Sequence, residues 1–231
     1  MIKFAQKKER FLMLKVVVFY SGYGGELFAD YLQENLPILQ VVRVIDWRHS
    51  NIINTKYKEA RKNTEAALLP YINKVDLIIF ANYYMSVTSL KYFKRKYPHQ
   101  KFVGMEFPKL KTSSEREALV LTTKAITKTI NYYNYLFRLK RRTKTIILDA
   151  WLDMIDNGEL ERCEILNTVK NFAAREKIIP NDIILACTHF SEIKPELRSC
   201  FSGRVKIHDG FRDTLHKTCN ALRLRGGAGK K

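Results

Sequence analysis

Asp76-Leu-Ile-Ile-Phe-Ala81-Asn82-Tyr83 and Asp182-Ile-Ile-Leu-Ala-Cys187-Thr188-His189 are the two stretches whose comparison decides the fold. Each leads from an aspartate through a short apolar strand into small and polar residues that open a helix. Ala81 and Cys187 stand at the same offset from their aspartates. Two such units in one chain predict duplicated lobes facing each other across a cleft, with these strand tips on either side. Coincidence is the competing explanation, because buried parallel strands share a generic apolar pattern.

Outward from this pair, short apolar runs at 14–19, 41–45, 75–81, 101–105, 118–121, 145–148, 182–186 and 205–207 read as buried strands. Between them, 25–35, 57–73, 86–96, 126–139, 151–157, 160–176 and 193–201 have helical spacing. The alternation predicts an α/β protein of two pseudo-symmetric lobes, each a mainly parallel sheet flanked by helices. Function is then expected at the carboxyl ends of the strands, in the cleft. The expected division is a basic tail over 1–13, a first lobe from 14–107 with 209–222, a second lobe over 108–208, and a flexible basic tail over 223–231.

Composition narrows the class. The chain has 231 residues, 46% hydrophobic and 28% charged, which are globular proportions. No run of about twenty apolar residues is long enough to cross a bilayer. The basic and then apolar opening is interrupted by Lys15 and followed by Ser21-Gly22-Tyr23, so it reads as a tail entering a strand rather than a leader peptide, and the expected location is the cytoplasm. Cys163, Cys187, Cys200 and Cys219 contain no C-x-x-C pair, which fits neither a disulfide framework nor a zinc site. No metal is expected. The net charge of +18, with basic clusters at 91–101 and 138–144, would attract nucleic acid or an anionic surface non-specifically. A lysine-rich solvated surface accounts for the same count, and no helix-turn-helix, zinc-finger or RNP pattern accompanies it.

Two segments carry chemistry. Tyr20-Ser21-Gly22-Tyr23-Gly24-Gly25 follows a strand and opens a helix, so its backbone N–H groups are placed to receive an anion. It lacks the Gly-Lys-Ser/Thr ending of a Walker loop, and a tight turn needing glycine explains it equally well. Cys187-Thr188-His189 puts a thiol, a hydroxyl and an imidazole at a strand tip. A cysteine there, beside a histidine, is suited to take or give a proton or to act as a nucleophile.

With YSGYGG at 20–25, FANYYMS at 80–86, GMEFP at 104–108, WLDMIDNGEL at 151–160 and ILACTHFSEIKPEL at 184–197, residues 14–222 resemble the aspartate/glutamate racemase superfamily, and glutamate racemase most. The resemblance implies two pseudo-symmetric lobes enclosing a small amino acid or related carboxylic acid. It implies inversion at the α-carbon without cofactor or metal by two cysteines on opposite faces, D-amino acid supply for peptidoglycan precursors, and a homodimer. It places Cys187 as the second catalytic cysteine, His189 as its assistant and Thr188 as a ligand of the substrate carboxylate. Ser21 and Asn82 match further substrate-binding positions.

The first lobe departs from that pattern. Ala81 stands where the family has its other cysteine, Tyr20 replaces the aspartate that assists it, and Tyr83 replaces a substrate-binding threonine. Asn51-Ile52-Ile53 and Lys124-Ala125-Ile126 replace two substrate loops. Tyr20 can serve as the opposite acid only if a positive field, such as that of Lys124, lowers its pKa far below about 10. Three functions fit: a racemase by descent with weak or altered activity, a one-cysteine decarboxylase or isomerase, and a catalytically inactive pseudoenzyme whose basic surface binds a partner.

Overall fold

The computed structural model describes residues 13–46, 57–110, 117–201 and 205–224. The first half runs β1 (Leu14–Tyr20), α1 (Tyr23–Asn35), β2 (Leu39–Ile45), α2 (Tyr57–Leu68), β3 (Leu77–Phe80), α3 (Tyr83–Lys96) and β4 (Phe102–Gly104). The second runs β5 (Ala118–Thr122), α4 (Lys124–Thr127), α5 (Ile130–Leu139), β6 (Thr143–Ile147), α6 (Trp151–Asp156), α7 (Arg162–Arg175), β7 (Asp182–Leu185), α8 (Lys194–Cys200) and β8 (Lys206–His208). Helix α9 (Phe211–Leu222) ends the described chain. The basic N-terminal tail through residue 12, Asn51-Ile52-Ile53, and the C-terminal tail from residue 225 lie outside the described residues.

All strand pairs are parallel, in two four-stranded sheets of order β2-β1-β3-β4 and β6-β5-β7-β8. The orders are the same, so β3 and β7 hold equivalent places and the duplicated two-lobe α/β architecture is present. Strand side chains alternate between two faces, and both faces are buried here. Val16, Val18, Leu77 and Ile79 share one apolar core with Ala118, Val120, Ile184 and Ala186 of the other sheet. Their neighbours Val17, Phe19, Ile78 and Phe80 fill an outer core of the first sheet. Leu119, Leu121, Ile183 and Leu185 do the same for the second.

The leading aspartates tie down the amino ends of the strands, away from the tips. Asp76 accepts a hydrogen bond from the Lys15 backbone N–H at 2.7 Å. Asp182 is buried between Arg141 and His208 Nε2, each at 2.7 Å. After β8 the chain returns to the first sheet through α9, whose Phe211 packs edge-on against Phe28 at 5.3 Å between ring centroids. Thr214 Oγ1 accepts from the Glu106 N–H at 3.0 Å, joining the same helix to the end of β4.

Several boundaries differ from expectation, two of them for an identifiable local reason. The helix expected over 126–139 is two helices, because the Thr129 side chain accepts from the Tyr132 N–H and starts a new N-terminus. Helix α3 begins at Tyr83 rather than 86, since Asn82 caps it through the Met85 N–H. Helix α9 was not among the expected helices. No helix among the described residues is long and apolar enough to cross a membrane.

Candidate active site

The carboxyl ends of the central strands of both sheets converge. Ser21 follows β1, Asn82 and Tyr83 follow β3, Thr123 follows β5, and Cys187, Thr188 and His189 follow β7; all seven line one cavity. Ala125, Ile126 and Leu152 give it an apolar wall. The cavity measures about 40 Å³, which holds water but is far below the roughly 300 Å³ at which ligand pockets begin. A substrate enters only if the lobes part.

Cys187, His189 and Asp156 form one hydrogen-bonded chain. Cys187 Sγ lies 3.6 Å from His189 Nδ1. On the other side of the ring, Nε2 lies 3.2 Å from Asp156 Oδ1 at the end of α6. Burial is the largest influence on His189 and disfavours its charge, but the hydrogen bonds to Asp156 and Cys187 outweigh it and push the pKa from 6.5 to about 10. Burial likewise works against the Asp156 carboxylate, yet its bonds to His189 and to the Tyr23 N–H hold its pKa below the ordinary value. At neutral pH the ring is an imidazolium that donates to both partners. The ring thus places a cationic hydrogen-bond donor against the Cys187 sulfur.

The glycine-rich turn does receive an anion, and the anion is Asp156. Tyr23, the first residue of α1, donates its N–H to Asp156 Oδ1 at 3.0 Å, as a helix N-terminus favours. The glycines permit the approach. A Cβ on Gly24 would stand 2.3 Å from the His189 backbone nitrogen, and one on Gly22 would stand 2.4 Å from His189 Nε2. The first lobe thus rests directly on the Cys187-Thr188-His189 segment of the second.

The opposing wall has a different chemistry. Asn82 Nδ2 donates to Ser21 Oγ at 3.1 Å while Asn82 Oδ1 caps α3, so both groups are held in fixed orientation. Tyr83 is buried, stacks on Phe107 at 5.2 Å, and donates its hydroxyl to the Glu106 carbonyl at 3.1 Å. Its pKa is raised well above 10, chiefly by burial. Ala81 is buried at the tip of β3.

Tyr20 is not brought into the cavity. It closes β1 on the same face as Val16 and Val18 and packs with Phe28 of α1. Burial, then the charge of Glu26, raises its pKa, against the lowering effect of Arg43. The lowered pKa that an opposite acid requires is therefore absent.

Sequence reasoning missed Asp156. It lies within WLDMIDNGEL, but only the fold brings it to a histidine 33 positions later. Asp156→Asn is expected to move the His189 titration down by about one pH unit or more, read from the imidazole proton shifts by NMR. The stabilisation due to His189 is complete below its unfolded pKa of 6.5 and lost as pH rises through about 10. The difference between the melting temperatures of wild type and variant should accordingly be largest just below pH 6.5, shrink as pH rises, and vanish above about pH 10. Among the described residues no three His, Cys, Asp or Glu side chains are grouped for metal binding.

No family model matches the chain. It is 26% identical over 217 residues to the glutamate racemase of Aquifex aeolicus, covering 92% of this chain and 85% of that one. The structure of Escherichia coli glutamate racemase, in complex with L-glutamate and the activator UDP-MurNAc-Ala, aligns with a TM-score of 0.74 at 18% identity, covering 94% of this chain and 85% of that one. An aspartate racemase homologue from Pyrococcus horikoshii aligns at 0.55 and 15% identity, over 91% of this chain and 100% of that one. The likeness is thus to the aspartate/glutamate racemase superfamily, and to glutamate racemases above aspartate racemases, in fold and along most of the chain.

Proposed function

We propose that this glutamate racemase-like chain is a cofactor-independent acid/base catalyst with one thiol, acting at the α-carbon of a small amino acid or related carboxylate. The observation that carries the reading is the Cys187–His189–Asp156 chain beside a cavity that the first lobe lines with Ser21, Asn82 and a committed Tyr83, Ala81 being buried at the strand tip just before Asn82. The thiolate, held by the His189 imidazolium, takes the α-proton; the C–H electron pair stays on the substrate as a carbanion delocalised into its carboxylate. Thr188, Ser21 and Asn82 line the same cavity and are the donors available to that carboxylate. The proton on Sγ exchanges with solvent and returns from the same side.

Inversion needs a donor on the other face. Ala81 carries no ionisable atom, and Tyr83 keeps its proton on the Glu106 carbonyl, so inversion is expected to be much slower than exchange. A carbanion formed by decarboxylation would be protonated by the same thiol, which leaves one-cysteine decarboxylation or isomerisation within the same chemistry. The small cavity volume favours a second reading, in which the lobes do not open and the chain is a pseudoenzyme.

Proton NMR of D- and L-glutamate and D- and L-aspartate in D₂O tests these readings. The expected result is α-proton exchange of one enantiomer of a pair with configuration retained. Inversion at the rate of exchange would establish a second acid and overturn the one-sided mechanism. Absence of exchange with all four would exclude them as substrates and favour the binding-only reading.

A further inference from the structure

The outward face of α5 is apolar where a solvated helix is ordinarily polar. Ile130, Tyr133 and Phe137 are 69%, 60% and 83% exposed. Their spacing of three and four residues puts them in one stripe, about 10 Å long at 1.5 Å per residue. The inward face is already occupied, with Tyr132 and Leu139 buried. No packing within the lobe therefore accounts for the stripe.

The charge beside it is mainly positive. Residues 118–148 contain seven lysines and arginines and no aspartate or glutamate; Arg141, Arg142 and Lys144 pair with Asp182, Glu117 and Glu176, which leaves Lys124, Lys128, Arg138 and Lys140. Lys128 precedes the helix, and Arg138 and Lys140 stand at its far end, all exposed. A groove of about 470 Å³ alongside α5 adds Lys91 from α3 and Lys109 from the connection between the sheets to the same Arg138, over apolar residues that include Leu90 and Leu139. Glu106, the carboxylate in that groove, is paired with Lys217.

We propose that this surface docks the protein on an anionic phospholipid bilayer, with Ile130, Tyr133 and Phe137 entering the interface and the surrounding cations meeting headgroup phosphates. Exposed apolar side chains ringed by lysine and arginine are what a peripheral membrane face requires: each supplies part of the affinity, and neither is sufficient alone. A second copy would press the same unpaired cations against one another. Nucleic acid would satisfy the cations but leave Ile130 and Phe137 without a role. The surface is separate from the chemistry at Cys187 and does not depend on it.

Flotation of the full-length protein with vesicles of phosphatidylglycerol and phosphatidylcholine, against phosphatidylcholine alone, tests the assignment. The wild type is expected to bind the anionic vesicles, and a variant carrying Ile130→Ser and Phe137→Ser to bind them at least about tenfold more weakly. A variant carrying Arg138→Glu and Lys140→Glu should lose a similar factor. All these side chains are exposed, and an unchanged melting temperature confirms the fold. The proposal is overturned if the wild type ignores anionic vesicles at low salt. It is overturned equally if the serine variant binds as well as the wild type, which would reduce the surface to a polyanion site open to nucleic acid. A dimer in sedimentation that the serine variant dissolves would also overturn it, since a second copy would then cover the stripe.

Discussion

Replacing Cys187 by alanine is expected to lower α-proton exchange by at least about a hundredfold, because the group that accepts and returns the proton is gone. The fold should survive. Cys187 is a small side chain at the rim of the outer core formed by Trp151, Leu152 and Phe190, so the loss of one sulfur costs about 1 kcal/mol. The informative companion is Ala81→Cys. A thiol at the tip of β3 would restore a donor on the opposite face, and inversion should then rise towards the rate of exchange. Cys187→Ala that exchanges α-protons as fast as wild type would remove the thiol from the mechanism, whatever the substrate.

Asp182→Ala is expected to cost about 3–5 kcal/mol, a large share of the roughly 5–15 kcal/mol by which a domain is stable. The Arg141 side chain that faces Asp182 is 1% exposed and that of Asp182 6%, so the change removes a buried carboxylate from a buried cation. His208 loses its partner in the same event. Asp76, the counterpart in the other half, accepts one backbone N–H at an exposed position, and Asp76→Ala should cost only about 1 kcal/mol. Urea unfolding of the two variants measures the difference; equal losses would mean that the Arg141–Asp182–His208 cluster does not hold the second sheet.

The reach of sequence reading followed the range of the interactions. Strand positions were legible because parallel strands buried on both faces must be continuously apolar, as 16–19, 77–80, 118–121 and 183–186 are. The duplication of the lobes was legible in the matched Asp76 and Asp182 stretches, but the order of strands within each sheet was not. The break at Thr129 was less so, since a threonine that caps one helix looks in sequence like one that continues another. Cys187, Thr188 and His189 were legible as a candidate site because they are adjacent in the chain and polar at the end of an apolar strand.

By itself, then, the sequence determined the α/β class, the two-fold repeat, the resemblance to the racemases and the asymmetry that leaves a cysteine at one strand tip and an alanine at the other. These are local facts, carried by hydrophobic period and residue identity. Tertiary structure decided the rest. It chose Asp156 as the partner of His189, assigned the glycine turn to that carboxylate, turned Tyr20 under α1 and left the α5 stripe uncovered. Each depends on which distant surfaces pack together, and packing between residues far apart in the chain leaves no period or spacing to read.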